Sequence, residues 1–361
     1  MKIAVLTTSR ADYGLLETLI GRICDDLDVK LCLMVSGSHV CPEFGLTLKD
    51  IKYPISERIE ILLSSDTPTA VSKAIGLGCI SFAEALERRK PDWLILLGDR
   101  FETFAMAVVA HVMRIPIAHI SGGEVTSGAA DDGFRHSITK LAYLHFTYAD
   151  EYRQRVIRLG EHPDRVFDVG CLSLEGIGKH LFTGHRKGYF VSIHPETLQD
   201  RIWQRGFIDV LLAHLSHKLE PLYFCLSNGD EGSRIINRKI VDFVGMDNEQ
   251  RKLLKLNRDD FLDLLARVKC IIGNSSAGIY EAPPLGTPTI NIGNRQDGRI
   301  RSDSIIDCRA SSEGLREAFT KLTMRQYSFA EKFKGGPVSE RILNVIKKYD
   351  SVNLQKGFYD T

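Results

Sequence analysis

Short apolar runs alternate with amphipathic stretches along the whole chain of 361 residues, and no other feature constrains the fold as strongly. The runs are continuously apolar, which indicates strands that are buried on both faces. Such strands, separated by helical segments, form parallel sheets wound by crossover helices. The predicted strands are 3–7, 29–35, 93–97, 115–120, 144–148, 166–169, 189–193, 222–226, 268–272 and 289–292. The predicted helices are 15–24, 70–89, 102–113, 151–159, 203–217, 260–266, 312–322 and 338–348.

The strand pattern restarts after residues 170–188, a stretch that contains five glycines. We therefore predict an α/β fold with two Rossmann-like domains, residues 1–175 and 176–340. A C-terminal helix and tail, residues 341–361, should pack back on the first domain. Ligands of such sheets bind beyond the carboxyl ends of the strands, so motifs at strand ends are expected to meet in a cleft between the domains.

The composition excludes several classes of partner. The formal net charge is +1, so no overall field attracts nucleic acid or membrane. The first residues lack the pattern of a signal peptide, and no run reaches the ~18 apolar residues of a membrane span. The eight cysteines form no CxxC pair, which favours free thiols in a reducing compartment. We expect a cytoplasmic protein without nucleic-acid or membrane partners.

One segment of the second half predicts an anion site. The apolar run 268–272 leads into Gly-Asn-Ser-Ser (273–276) and then a short helical pattern that ends before two prolines. Free backbone N–H groups and the positive end of a helix dipole favour an anion there. Arg295 and Arg299 follow the next strand and can close over the same anion. Since the G-x-S-x-G pattern of a serine nucleophile is absent, Ser275 and Ser276 are interpreted as phosphate-binding groups. Glu281 is placed to bind the two hydroxyls of a ribose.

Polar residues also follow the strands of the first half. Arg10 can reach a phosphate or ribose, or can be a surface arginine in a turn. His39 can face the cleft or be a turn histidine without a role. Asp99, directly after an apolar strand, can be a general base with a raised pKa or the N-cap of the next helix, and Arg100 follows it. The residues alone leave these alternatives open.

A Gly-Gly-Glu loop follows the strand at 115–120. Glu124 and Asp131 could form an acid–base pair, and Gly122-Gly123 would let the backbone approach a ligand. A mixed set of Asp, Glu and His residues could instead bind a divalent metal, but we predict no metal and no organic cofactor. In the second half, Pro195 holds His194 extended at a strand end. Asn228 lies in a polar loop that suits hydrogen bonds to a nucleotide.

Taken together, these motifs resemble the hydrolysing UDP-N-acetylglucosamine 2-epimerase family, and most closely its bacterial members of sialic acid synthesis. The resemblance keeps the same order over nearly the whole chain. The motifs that carry it are 9–14, 98–102, 122–124, 135–140, 194–197, 273–276, 291–299 and 357–360.

The resemblance implies a GT-B-like fold, a UDP-sugar substrate, and a homodimer or homotetramer in which helices 70–89 and 102–113 are candidate contacts. It also implies a reaction in which a base removes the C2 proton while UDP leaves C1. Water then adds to the resulting 2-acetamidoglucal and gives a free sugar inverted at C2. The implied catalytic residues are Asp99, Glu124, Asp131 and His194. The residues expected to bind UDP or the sugar are Arg10, His39, Arg100, Asn228, Ser275, Ser276, Glu281 and Arg295.

Two departures from the family stand out: Ser121 occupies a position where many relatives carry a glutamate, and the segment 170–189 is short. UDP-N-acetylglucosamine is the first candidate substrate, and UDP-N,N′-diacetylbacillosamine, the substrate of a sister group in legionaminic acid synthesis, is the second. A GT-B glycosyltransferase and a non-catalytic sugar-nucleotide sensor are the more distant alternatives.

Overall fold

The computed structural model describes residues 1–227, 229–246, 249–324, 326–329, 332–349 and 352–360. The chain forms two compact units, and each is built around its own sheet. The first unit comprises Met1–Glu124, Asp131–Glu175 and Phe333–Thr361. The second comprises Val125–Ala130 and Gly176–Lys332.

The first unit contains a parallel sheet of seven strands in the order β3-β2-β1-β4-β5-β6-β7. The strands are β1 (Lys2–Thr7), β2 (Lys30–Ser36), β3 (Ile55–Ile59), β4 (Trp93–Leu97), β5 (Ile117–Ile120), β6 (Leu144–Thr147) and β7 (Val166–Asp168). The helices before residue 176 are α1 (Arg10–Asp25), α2 (Pro68–Arg89), α3 (Phe101–Val112), α4 (Asp131–Leu141) and α5 (Asp150–Arg158).

The central strands of this sheet are buried along their length, as their apolar sequences predict. All five residues of β4 are buried, and so are all four of β5. Side chains from α2 and α3, such as Phe82 and Met106, fill a core against these strands. Because helices cover both faces, the strands need no polar side to meet water.

The second unit contains a parallel sheet of six strands in the order β10-β9-β8-β11-β12-β13. The strands are β8 (Tyr189–Ser192), β9 (Leu222–Cys225), β10 (Arg251–Leu253), β11 (Cys270–Gly273), β12 (Thr289–Ile292) and β13 (Ile305–Cys308). The helices are α6 (Arg201–Leu215), α7 (Ser233–Gly245), α8 (Arg258–Arg267), α9 (Ala277–Tyr280) and α10 (Ser312–Met324). The structure thus confirms two Rossmann-like parallel sheets. The strand order reverses at β1 and at β8, and ligands of such sheets bind beyond the carboxyl ends at these points.

The C-terminal segment belongs to the first unit from Phe333 onward, and it includes α11 (Val338–Lys347). Residues 333–340, which were predicted to belong to the second domain, are tied to the first unit by hydrogen bonds to residues such as Cys171 and Glu175. Cys171 N donates to Lys334 O at 2.8 Å, and Ser339 N donates to Glu175 Oε2 at 2.8 Å.

Residues 125–130 also differ from the predicted division, since they belong to the second unit. Ser127 N donates to Asp297 O at 3.1 Å, and Ala130 N donates to Thr197 Oγ1 at 2.9 Å. The loop after β5 therefore leaves the first unit at Glu124 and returns to it at Asp131. A break of six residues inside an otherwise continuous domain has no signature in composition.

Helix α2 is, by its 22 residues and its composition, long and apolar enough to cross a membrane, as core helices of other proteins also are. The sequence alone predicted no apolar run long enough to cross a membrane. One face of the helix, including Ala74, Phe82 and Leu86, is buried in the first unit.

Candidate active site

Asp99 lies two residues beyond the end of β4, after Gly98, whose φ of +78° makes the turn. The N-cap of α3 is Arg100, so Asp99 does not take the alternative role of helix cap. Its Oδ2 instead accepts a hydrogen bond from Arg135 Nη2, while the side chain remains 23% exposed. Asp99 is therefore an accessible carboxylate held by a buried cation.

Arg135 on α4 joins Asp99 to a second carboxylate. Its side chain is 1% exposed; Nη1 donates to Ser121 O at 3.0 Å and lies 3.8 Å from Oε2 of Glu124. Glu124 is fully buried, and its Oε1 accepts a hydrogen bond from Ser121 Oγ. Burial of charges is tolerated where they are paired and hydrogen-bonded. Asp99, Ser121, Glu124 and Arg135 form what we call the acid–base cluster.

The two glycines ahead of Glu124 allow the loop to fold tightly onto its own unit. A Cβ on Gly122 would lie 3.1 Å from Thr139 Oγ1, and one on Gly123, at φ +79°, would lie 2.3 Å from Tyr152 O. From the sequence, these glycines were predicted to let the backbone approach a ligand. In the structure they let the loop pack closely against α4 and α5. This packing places the side chain of Glu124 next to Ser121.

His119 on β5 holds the turn that carries Gly98 and Asp99. It is fully buried, and its Nε2 lies 2.8 Å from Gly98 O, so this nitrogen carries the proton and donates to the carbonyl. Burial lowers the pKa of His119 to about 3, although the hydrogen bond to Gly98 O opposes the shift. The imidazole is therefore neutral at physiological pH and fixes the backbone just before Asp99.

This burial predicts a pH-dependent stability. Between about pH 6.5 and 3 the unfolded chain protonates His119 while the folded chain does not, so the contribution of His119 to stability falls as pH falls. We expect the difference in free energy of unfolding between the parent protein and His119→Gln to shrink by about 1.4 kcal/mol per pH unit in this window. Urea titrations from pH 7 to 4 measure it. A difference that stays constant over the range would contradict the assignment.

Asp131 is the first residue of α4, at the point where the chain returns to the first unit. A carboxylate in the first turn of a helix interacts favourably with the helix dipole. Arg135 lies four residues later, so the two residues share one face of the helix. The position connects Asp131 to the element that carries the cluster, and its catalytic role stays a prediction.

Arg10 and His39 follow β1 and β2 and have different surroundings. Arg10 is the first residue of α1, and its Nη1 is buried without a hydrogen-bond partner in the described part of the chain. A buried guanidinium nitrogen without a partner suits an anionic ligand. His39 is 1% exposed, with its ring nitrogens 3.0 Å from Thr7 Oγ1 and 2.7 Å from Thr47 Oγ1. His39 is thus a buried residue whose ring nitrogens contact two threonine hydroxyls, and its predicted contact with substrate stays a prediction.

Arg100 makes a bidentate pair with a buried glutamate. Its Nε and Nη2 lie 3.2 and 3.1 Å from the two carboxylate oxygens of Glu102, a residue that is fully buried. The pair fixes the start of α3 next to Asp99. The predicted contact between Arg100 and substrate stays a prediction.

In the second unit, Asn274 ties two strand ends together. It follows β11 and is fully buried; its Oδ1 accepts from His194 N at 2.7 Å and its Nδ2 donates to His194 O at 2.9 Å. Its carbonyl accepts from Arg295 Nη1 at 3.2 Å and from Gln296 Nε2 at 2.7 Å. The backbone of His194 and the side chain of Arg295 are thus held at the carboxyl ends of β8, β11 and β12.

Glu196 anchors the loop that carries Arg295. Its Oε1 accepts from the backbone N–H groups of Asn294 at 3.0 Å and Arg295 at 3.3 Å, and the residue is 1% exposed. Burial raises the pKa of Glu196, while these two backbone donors oppose the shift. Gly293 at φ +79° is required here because a Cβ would lie 2.0 Å from Oε1. Asn274, Glu196, Arg295 and Gln296 are called the strand-end cluster below.

Ser275 and Ser276 precede α9, which has only four residues and stops at Tyr280. The sequence predicted that this helix continues to residue 282, just before the two prolines. Ser275 Oγ accepts from Ala277 N at 3.3 Å, so this hydroxyl faces the start of the helix. Glu281 is paired with Arg258 at 2.9 Å, a partner that the sequence did not indicate. Contacts of these three residues with UDP stay predictions.

Asn228, the remaining predicted binding residue, lies outside the described residues. Among the residues that are described, no group of three or more His, Cys, Asp or Glu side chains is arranged to hold a metal ion.

The sequence did not indicate a role for Arg135, Glu196 and Asn274 of the two clusters, or for Arg258, which pairs with Glu281. A signal existed for Arg135. It precedes Ile138 and Thr139 by three and four residues, so it lies on the buried face of α4. A lone arginine on such a face indicates a buried ion pair.

Comparison with known proteins places the chain among sugar-nucleotide enzymes. The family model of UDP-N-acetylglucosamine 2-epimerase matches residues 22–347. A protein of Campylobacter jejuni named GDP/UDP-N,N'-diacetylbacillosamine 2-epimerase (hydrolyzing) is 36% identical, covering 90% of this chain and 88% of its own. A Legionella pneumophila protein named UDP-N,N'-diacetylbacillosamine 2-epimerase (hydrolyzing) is 33% identical, covering 96% and 95%.

The fold is shared with solved structures of low sequence identity. UDP-GlcNAc 2-epimerase of Methanocaldococcus jannaschii, in complex with UDP-GlcNAc and UDP, has a TM-score of 0.80 at 16% identity and covers 96% of this chain and 100% of its own. The Neisseria meningitidis enzyme bound to UDP-GlcNAc has a TM-score of 0.77 at 17% identity, with coverage of 96% and 100%. These matches support the GT-B-like architecture that the resemblance implied. Since the family model matches most of its length and two relatives exceed 30% identity over most of theirs, the chain belongs to the UDP-N-acetylglucosamine 2-epimerase family.

Proposed function

We propose that the protein is a hydrolysing UDP-sugar 2-epimerase, which converts a UDP-N-acetylhexosamine to UDP and the free sugar inverted at C2. The observation that carries this proposal is the acid–base cluster, in which one buried arginine holds an accessible carboxylate, Asp99, and a buried one, Glu124. Inversion at carbon requires one group that removes a proton and one that returns it, and a pair of carboxylates supplies both. A glycosyltransferase or a sugar-nucleotide sensor has no need for this pair.

The chemistry follows from the acidity of the sugar. The C2 proton is weakly acidic, so its removal by Asp99 must be coupled to departure of UDP from C1. The electron pair of the C2–H bond forms the C1–C2 double bond as the C1–O bond breaks, and UDP leaves as the anion. Water then adds its oxygen to C1 while a proton is returned to C2 on the opposite face. No metal or organic cofactor enters this scheme.

For the second unit we propose binding of the uridine diphosphate. Arg295, held by Asn274 and Glu196, would face the phosphates together with the hydroxyls of Ser275 and Ser276. Fixed donors aimed at a leaving group stabilise the charge that develops on it. Arg10, with its unpartnered Nη1, would contribute a further positive charge, and Glu281 would bind the ribose. His194, fixed through its backbone, is the proposed catalytic residue of this unit.

Two sugars are candidates for the substrate. UDP-N-acetylglucosamine is favoured by the motifs and by a Neisseria meningitidis relative of that activity, 27% identical over 99% of this chain. UDP-N,N′-diacetylbacillosamine is favoured by the names of the two relatives at 36% and 33% identity. The products would be precursors of sialic or legionaminic acid, respectively. We also propose a cytoplasmic homodimer, which sedimentation equilibrium would detect.

Parallel assays on the two UDP-sugars in deuterated water test the function. We expect release of UDP, a free sugar with inverted C2, and deuterium at C2 of that sugar by NMR. An epimerised UDP-sugar without free sugar would indicate a non-hydrolysing epimerase. A product without deuterium at C2 would contradict proton abstraction, and tight UDP-sugar binding without turnover would indicate a sensor.

A further inference from the structure

Glu124 lies beneath the surface of the acid–base cluster. It has no exposed surface, whereas Ser121 keeps 6% of its surface exposed and Asp99 keeps 23% of its side chain exposed. A carboxylate without exposed surface cannot touch a sugar carbon directly. Any proton that Glu124 exchanges with a ligand must therefore pass through a neighbouring group.

Ser121 is the neighbouring group that contacts the carboxylate of Glu124. The Ser121 hydroxyl donates to Glu124 Oε1, and Arg135 Nη1 lies 3.0 Å from Ser121 O and 3.5 Å from Ser121 Oγ. Arg135 thus holds both the backbone and the hydroxyl of Ser121, while Glu124 accepts the hydrogen bond that this hydroxyl donates. This is the arrangement of a two-membered proton relay.

The backbone of Ser121 is held in an unfavourable conformation. Its φ is +71°, in the left-handed region that disfavours residues with a Cβ. Among the described residues three other non-glycine residues share this feature, and none of them lies in the cluster. Glycine would occupy the position without strain, yet the residue present carries a hydroxyl. Strain of this kind is retained where a side chain must be aimed.

We propose, on the basis of the proposed function, that Ser121 is a catalytic residue that passes a proton from Glu124 to C2 of the glycal, and that Glu124 is a positioning residue that acts through it. In this scheme Glu124 first takes one proton from solvent, and this is the proton that it later passes on. Protonated Glu124 donates to Ser121 Oγ as the Ser121 hydroxyl gives its own proton to C2. The oxygen of a water then bonds to C1, and the proton that this water loses goes to Asp99, which has already returned the first C2 proton to solvent.

The test compares elimination with hydration in Ser121→Gly. Glycine suits a φ of +71°, so this variant removes the hydroxyl without adding strain, while Ser121→Ala removes it and retains the strain. In both variants we expect formation of free sugar to fall about 10²-fold more than release of UDP. The glycal should accumulate to a level that NMR detects. Glu124→Gln should show the same split between the two rates.

The outcomes are distinct. Ser137→Ala, which changes an exposed serine on α4, serves as the matched control and should keep both rates together. Formation of sugar by Ser121→Gly at the parent rate would overturn the relay. A parallel loss of UDP release and sugar formation without glycal would also overturn it, because a structural defect affects both steps. If the parent protein itself releases no UDP from either substrate, the proposed function fails. This measurement is made before any variants are compared, so that failure of the function and failure of the relay are distinguishable.

Discussion

Replacement of Asp99 by Asn is expected to lower kcat for UDP release by about 10²- to 10⁴-fold, the range for loss of a general base. Asn keeps the shape and can still accept a hydrogen bond from Arg135 through its side-chain oxygen, so the fold should survive. It cannot take a proton from C2. Because proton removal and departure of UDP occur together, both the elimination and every later step should slow. Continuous measurement of UDP release at saturating substrate gives kcat directly.

Asp92→Asn is the matched control, because Asp92 precedes the same strand and lies at its opposite end. Asp92 Oδ2 accepts a hydrogen bond from Lys2 N at 2.6 Å, and the residue is exposed. We expect this variant to retain the parent kcat. Affinity of Asp99→Asn for UDP, measured by calorimetry, should match the parent value, since the residues proposed to bind UDP are mainly in the other unit. An Asp99→Asn protein with more than about a tenth of the parent kcat would remove Asp99 from the role of base.

The central strands of both sheets and the edge strand β7 could be predicted from the sequence, whereas the other edge strands could not. Runs such as β4 and β11 are apolar throughout because both faces are buried, and this pattern is visible without a structure. The strands that were missed are β3, β10 and β13, which lie at sheet edges. β3 and β10 carry charged residues such as Glu57 and Lys252, since an edge strand is partly solvated. Their pairing depends on neighbours that are distant in sequence.

The candidate site was predictable only in part, for a related reason. The sequence indicated Asp99 and Glu124 because they lie two and four residues beyond buried strands, and parallel strands end at one edge of a sheet. Arg135 was given no role because α4 was not predicted from its polar sequence. The pairing of Glu281 with Arg258 joins residues 23 positions apart, one directly after α9 and the other at the start of α8. The contacts of His39 with the hydroxyls of Thr7 and Thr47 could not be predicted either, because they join residues of separate elements.

Of all the substitutions proposed, Arg135→Met is expected to lower the free energy of unfolding most. The substitution would leave Asp99 and buried Glu124 without their shared cation, and removal of one partner from a buried ion pair costs about 3–5 kcal/mol. Urea unfolding at pH 7 measures this loss. Arg316→Met, which removes an arginine that is 73% exposed and 4.0 Å from Glu313, should change the free energy of unfolding far less because water screens that pair.

A double-mutant cycle separates the charge from the packing. Adding Glu124→Gln to Arg135→Met removes the buried charge that the single variant leaves without a cation, so the double variant should be more stable than Arg135→Met alone. The coupling energy should fall within about 0.5–3 kcal/mol, as expected for residues in one hydrogen-bonded network. Arg135→Lys keeps the charge but cannot reach Asp99, Ser121 and Glu124 together, since an ammonium lacks the planar fork of a guanidinium. We therefore expect Arg135→Lys to be more stable than Arg135→Met without regaining the parent kcat. Additive single effects, or a double variant less stable than Arg135→Met, would mean that Arg135 stabilises the unit by packing rather than by joining its two carboxylates.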